Sequence, residues 1–97
     1  MLYSCQYTWH PSTTLDQVRR QQSTLGPLLE SSGVTVRGYY GLVGGGAGFL
    51  LLETDDSQAV NNLLVPMMGA LAWDVRQVVE RDLAKELQEC AEQYGEG

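Results

Sequence analysis

Ninety-seven residues, 43% of them hydrophobic and 19% charged, suffice for one globular domain, exclude disorder across the whole chain and leave little room for a second core. Twelve acidic against six basic side chains give a formal net charge of -6, and the only adjacent basic pair is Arg19-Arg20, so the concentrated positive charge that displaces counterions from nucleic acid is missing. No run approaches the ~20 apolar residues of a membrane span, and "MLYSCQYTWHP" lacks the basic and long apolar regions of a secretory signal, so a cytoplasmic protein without membrane contact is expected.

Residues 2–9, "LYSCQYTW", alternate Tyr3, Cys5, Tyr7 and Trp9 against Leu2, Ser4, Gln6 and Thr8, which predicts a first strand stopped by His10-Pro11. Ser12, Thr13 and Thr14 are candidate N-caps for a helix whose stripe runs Leu15, Val18, Gln22, Leu25 and Leu29. Gly26-Pro27 is expected to kink or split its last turn, and Ser31-Ser32-Gly33 closes it. "VTVRGYYGLV" (34–43) and "GFLLLET" (48–54) predict two strands joined as a hairpin across the glycines.

Asp55, Asp56 or Ser57 then caps a second helix, with Ala59, Val60, Leu63, Leu64, Met67 and Met68 on its apolar side and Pro66 inside the pattern. "LAWDVRQVV" (71–79) alternates as a fourth strand. A third helix follows with Leu83, Leu87, Cys90, Ala91 and Tyr94 on one stripe, and the six acids and two bases from Glu80 to Gly97 suit its solvated side.

The order β-α-β-β-α-β-α predicts an α+β, ferredoxin-like βαββαβ domain with a C-terminal helix added. Right-handed crossovers put both main helices on one face of a four-stranded antiparallel sheet ordered 4-1-3-2. Residues 1–97 form one domain by this reading, with a core over 1–80 and an acidic helix over 81–97. Val34, Val36, Tyr39, Leu50, Leu52 and Val75 are taken to be spread over the two sheet faces, so the uncovered face would be a large apolar patch unless a second copy closes it. A two-fold homodimer is expected.

Three stretches, "MLYSCQYTWHP", "GFLLLETDDSQAV" and "ALAWDVRQVVE", resemble the DUF3303 family of uncharacterised function, a branch of the dimeric α/β-barrel superfamily. The resemblance runs from about Met1 to Glu80. It implies the ferredoxin-like fold and a barrel-forming dimer; relatives in the wider superfamily range from cofactor-free monooxygenases and haem-degrading enzymes to isomerases and plain ligand-binding modules, so the fold alone does not choose an activity.

Chemistry-bearing residues are sparse. "GLVGGGAGF" lacks the lysine and hydroxyl of a Walker loop, and its glycines have the wrong spacing and lead into a strand, where a dinucleotide site needs a helix N-terminus; a hairpin turn is expected. Cys5 and Cys90 have no metal-type spacing and are expected to be buried thiols, and one histidine with scattered acids falls short of a metal site, so neither metal nor cofactor is expected. His10 is the candidate catalytic residue, a proton shuttle on a rim shared with Tyr7 and Trp9; the alternative is a half-exposed histidine at a strand end. Arg37 and Arg76 are candidates for orienting an anionic group, with ordinary ion pairing, such as Arg76 with Asp74, as the alternative. Tyr7, Trp9, Tyr39 and Trp73 are candidate ligand-binding rings, Trp9 and Trp73 falling on neighbouring strands.

The function read from these residues is binding of a small aromatic or anionic molecule in a partly aromatic cavity between sheet and helices. A cofactor-independent monooxygenase or isomerase acting on a small aromatic compound is the first alternative, and a structural or regulatory homodimer without a ligand the second.

Overall fold

Alternating apolar and polar side chains at the N-terminus fold as predicted into a strand, Leu2–Trp9 (β1), in the computed structural model, which describes residues 1–95. A helix, Leu15–Ser32 (α1), starts at a capping box: the Thr14 hydroxyl accepts from the Gln17 N–H at 3.2 Å while the Thr14 N–H donates to the Gln17 side chain at 2.8 Å. Two strands follow, Thr35–Gly41 (β2) and Ala47–Glu53 (β3), then Ser57–Leu64 (α2), a 3-10 turn over Val65–Met67, a strand Leu71–Val78 (β4), and a last helix Leu83–Tyr94 (α3). The sheet order β2-β3-β1-β4 is the expected 4-1-3-2 read from the other edge, and every pairing is antiparallel. The fold is ferredoxin-like α+β with one added helix. Positions 96 and 97 of the acidic segment lie outside the described residues.

Pro27 and Pro66 act differently from expectation. Pro27 sits inside an unbroken α1. Part of proline's penalty is a clash with the Cβ of the residue before it; Gly26 has none, and Leu25, Leu28 and Leu29 hold both sides of the joint against the core. Pro66 ends α2 early and opens the 3-10 turn, so Met67 turns inward to 3% exposure while Met68, expected on the apolar side, faces solvent. The glycines make a turn: Gly44, Gly45 and Gly46 have φ of 99°, 82° and 83°, a region that L side chains avoid, and the Gly46 carbonyl accepts from the Trp9 N–H at 2.9 Å, tying the hairpin to the end of β1.

Register assigns the faces. Tyr3, Cys5 and Tyr7 pair with Leu52, Leu50 and Gly48 of β3 and with Gln77, Val75 and Trp73 of β4. Val36 and Tyr39 of β2 pair with Leu52 and Leu50, so the strand residues expected on two faces all lie on the helix-covered one. Leu52, Leu71 and Cys5 of that face are fully buried, together with Leu63 of α2 that packs on it. The other face carries Leu2, Phe49, Leu51 and Val78 interleaved with Ser4, Gln6, Asp74 and Arg76, and is less apolar than the composition suggested. Cys90 also departs from expectation: it is exposed on α3, whereas Cys5 is buried and its thiol pushed up to a pKa of about 11 by that burial.

Candidate functional site

Side chains from the helix-covered face and from α1 leave an open-mouthed cavity of about 390 Å³. Its centre is Tyr7. The Tyr7 ring stands edge-on to Trp9 at 6.3 Å and to Trp73 at 5.9 Å between centroids, and is tilted against Tyr39 at 6.4 Å. Edge-to-face contact suits the aromatic quadrupole and fixes three rings without a covalent tie. Trp9 and Trp73 therefore meet through Tyr7, which the alternation of β1 inserts between them.

A glycine makes this arrangement possible. Gly48 is the cross-strand partner of Tyr7, and a Cβ there would lie 2.5 Å from the Tyr7 hydroxyl oxygen and 2.7 Å from Cζ, and closer still to the Tyr40 carbonyl oxygen. The ring occupies the volume that a side chain at position 48 would need. The sequence reading begins the strand at Gly48 and gives that glycine no packing role; in the structure β3 begins at Ala47 and Gly48 lies opposite Tyr7.

Polar groups around the cavity are few and uncharged. Burial, with a smaller contribution from the neighbouring Tyr39 hydroxyl, pushes the Tyr7 pKa up to about 12, so the phenol keeps its proton at neutral pH. The Gln22 amide donates to the Tyr39 hydroxyl across 3.4 Å and links α1 to β2 at the mouth. The Trp73 indole N–H is buried without a hydrogen-bond acceptor. An unpaired buried donor costs about 1–3 kcal/mol, and because that nitrogen is closed off from solvent, a molecule in the open cavity meets the Trp73 ring and not its N–H.

The structure brings four of the sequence-derived residues, Tyr7, Trp9, Tyr39 and Trp73, to one cavity and leaves three elsewhere. His10 is exposed and borders a separate polar depression with Ser12, Thr13 and Gln21. Arg37 lies at a bulge in β2 and grips Glu53 with two hydrogen bonds, 2.7 and 3.2 Å, pulling that carboxyl below its ordinary pKa. Arg76 reaches Asp74 at 3.4 Å from the uncovered face. Among the described residues no cluster of three or more His, Cys, Asp or Glu is placed to hold a metal.

Sequence reasoning missed the cavity's α1 wall, Gln22, Leu25 and Leu29. A signal was present in Gln22, a polar residue inside an otherwise apolar stripe. Met67, expected only on the apolar side of the second helix, also borders the cavity. No helix among the described residues is long and apolar enough to cross a membrane.

No curated protein matches the sequence. A family match covers residues 1–91, which passes Glu80 and takes in most of α3, so the last helix lies within the family's domain and beyond the stretch that carries the resemblance in sequence. The chain belongs to the family described as Domain of unknown function (DUF3303).

Proposed function

We propose that the protein binds a small, flat, neutral molecule carrying a hydrogen-bond acceptor oxygen, in the cavity around Tyr7. The observation that carries this is the character of the lining: three aromatic rings set edge to face, apolar side chains from α1, and hydrogen-bonding groups that are neutral, among them a protonated Tyr7 hydroxyl and the Gln22 amide. A carboxylate or phosphate ligand would lose its hydration here without meeting a cation, which is unfavourable. Both candidate arginines are on the opposite face, engaged with carboxylates. An enzyme of the monooxygenase or isomerase type needs a proton-transfer group beside a charge-stabilising one; the cavity has tyrosines and no arginine next to them, which favours binding over turnover.

The binding domain works as a homodimer on this reading. Leu2, Phe49, Leu51 and Val78 on the uncovered sheet face supply the apolar part of a sheet-to-sheet contact that closes a dimeric barrel.

Three fused bicyclic probes test the ligand class by calorimetry: coumarin, naphthalene and coumarin-3-carboxylate. Coumarin is expected to bind about tenfold more tightly than naphthalene, the equivalent of one modest hydrogen bond, and the carboxylate most weakly. Tyr7→Phe, which removes the hydroxyl and keeps the ring, should erase the coumarin advantage. Preference for the carboxylate, or no binding of any probe to folded protein, overturns the proposal.

A further inference from the structure

The third helix takes no part in the core of its own chain. None of its residues is buried and it contributes to neither hydrophobic cluster. Leu83, Leu87 and Tyr94 are 69%, 60% and 76% exposed, and they share one side of the helix with Cys90 and Ala91, within an arc of about 100° at helical spacing. Lys85, Glu86, Glu89 and Glu92 occupy the rest. Because α3 stands off, the described chain measures 58 × 32 × 16 Å with a radius of gyration of 17.4 Å, against about 13 Å for a compact domain of this length.

Its direction is nevertheless defined. Residues 79–82 contain neither glycine nor proline, the Asp82 side chain caps the helix by accepting from the Lys85 N–H at 3.1 Å, and the Arg81 guanidinium forks onto Glu86. A helix of only twelve residues is marginal by itself in water, so a capped, amphipathic one without a partner is incomplete as a monomer.

We infer that α3 is an exchange arm that lies, apolar stripe inward, on the domain of a second copy of this chain. The inference rests on the homodimer reading above and gives that dimer its second contact. The uncovered sheet face, four strands of seven or eight residues, has a footprint of roughly 400 Å², while a stable interface takes about 800 Å² from each partner. Ser4, Gln6, Asp74 and Arg76 dilute its apolar content further. An arm about 18 Å long and 10 Å wide covers roughly 200 Å², and under two-fold symmetry each copy both gives one and receives one, which brings the contact to the size a stable dimer needs. The acidic outer side argues against a membrane as the occupant, since interfacial helices carry lysine and arginine there.

The test uses the full chain. Sedimentation over a dilution series compares wild type with Leu83→Glu/Leu87→Glu, and a benzophenone amino acid at Leu87 is photolysed in an equilibrated mixture of ordinary and heavy-isotope protein. Expected are a wild-type dimer, at least a tenfold rise in dissociation constant for the double variant with the domain still folded, and crosslinks joining position 87 of one isotopic form to residues 1–80 of the other. A wild-type monomer overturns the dimer and the arm together. A dimer whose dissociation constant ignores the double variant, or crosslinks confined to one isotopic form or to a foreign protein, overturns the arm and leaves the sheet-to-sheet dimer standing.

Discussion

Gly48→Ala is the sharpest perturbation of the cavity because one methyl group challenges two features at once. The new Cβ would sit 2.5 Å from the Tyr7 hydroxyl oxygen and 2.7 Å from its Cζ, with the Tyr40 carbonyl oxygen nearer still. Trp9 and Trp73 flank the ring at 6.3 and 5.9 Å between centroids, so it can retreat only toward the cavity and by breaking their edge-to-face contacts. The carbonyl belongs to the neighbouring strand and moves only if β2 and β3 separate. Overpacking of this kind costs about 1–3 kcal/mol, and at about 4–8 °C per kcal/mol for a domain of this size the melting temperature should fall by roughly 5–20 °C. Thermal unfolding followed by circular dichroism measures the fall, and near-ultraviolet dichroism should lose the band of the coupled rings even well below the transition. Adding Tyr7→Phe removes the hydroxyl contact but neither the ring-carbon contact nor the strand contact, so the double variant should recover only part of the loss. A Gly48→Ala protein that melts with wild type and keeps its near-ultraviolet spectrum would refute the claim that Tyr7 occupies the space above Gly48.

Alkaline titration should expose the two buried acids of β1. The folded state holds Cys5 up to about 11 from 9.0 and Tyr7 up to about 12 from 10.0, so the unfolded chain gives up these protons first; the stability they contribute is complete below pH 9.0 and is lost as pH rises through the folded values. Melting temperature measured against pH should begin to fall near 9, Cys5→Ala should remove the first part of the fall, and absorbance of tyrosinate should show one of the five tyrosines ionising late. Pro27→Ala restores a donor inside α1 and should stabilise by roughly 1–2 kcal/mol, the ~3 kcal/mol helix penalty being offset by greater freedom of the unfolded chain; a lower melting temperature would mean that Pro27 is not in a continuous helix. Coumarin affinity should be unchanged within about twofold by His10→Ala or by Arg37→Gln/Arg76→Gln, well under the tenfold that marks 1.4 kcal/mol, and a larger loss in either would move the binding site away from Tyr7.

Much of the fold was legible because it rests on periodicity. Period-two alternation identified β1 to its ends, and the order of strand and helix patterns led to the sheet order through the handedness of crossovers. What periodicity does not carry is the allocation of strand faces between chains. Val36, Tyr39, Leu50, Leu52 and Val75 read as apolar residues that need cover; the pairings of β1 put Leu50, Leu52 and Val75 on the helix side, and the pairing of β2 with β3, slipped by a bulge at Arg37, adds both Val36 and Tyr39. That same bulge turns Arg37 toward Glu53, a consequence of one unpaired residue that alternation alone gets wrong by one step.

The cavity was half legible for a related reason. Tyr7, Trp9 and Trp73 could be brought together from the strand order, because β1 and β4 are neighbours and parity fixes the face. Gln22 and Gly48 could not, since their roles depend on how far α1 stands from the sheet and on which residue faces Tyr7 across the ladder. The glycine-rich stretch shows the difference within nine residues. Gly44 to Gly46 serve the backbone, through positive φ, and any sequence-level reading of a hairpin accounts for them. Gly48 serves the side chain of another strand. Its missing Cβ is a packing requirement set by Tyr7 on the adjacent strand β1, and it links the part of the chain that looked like a phosphate loop to the ring at the centre of the cavity.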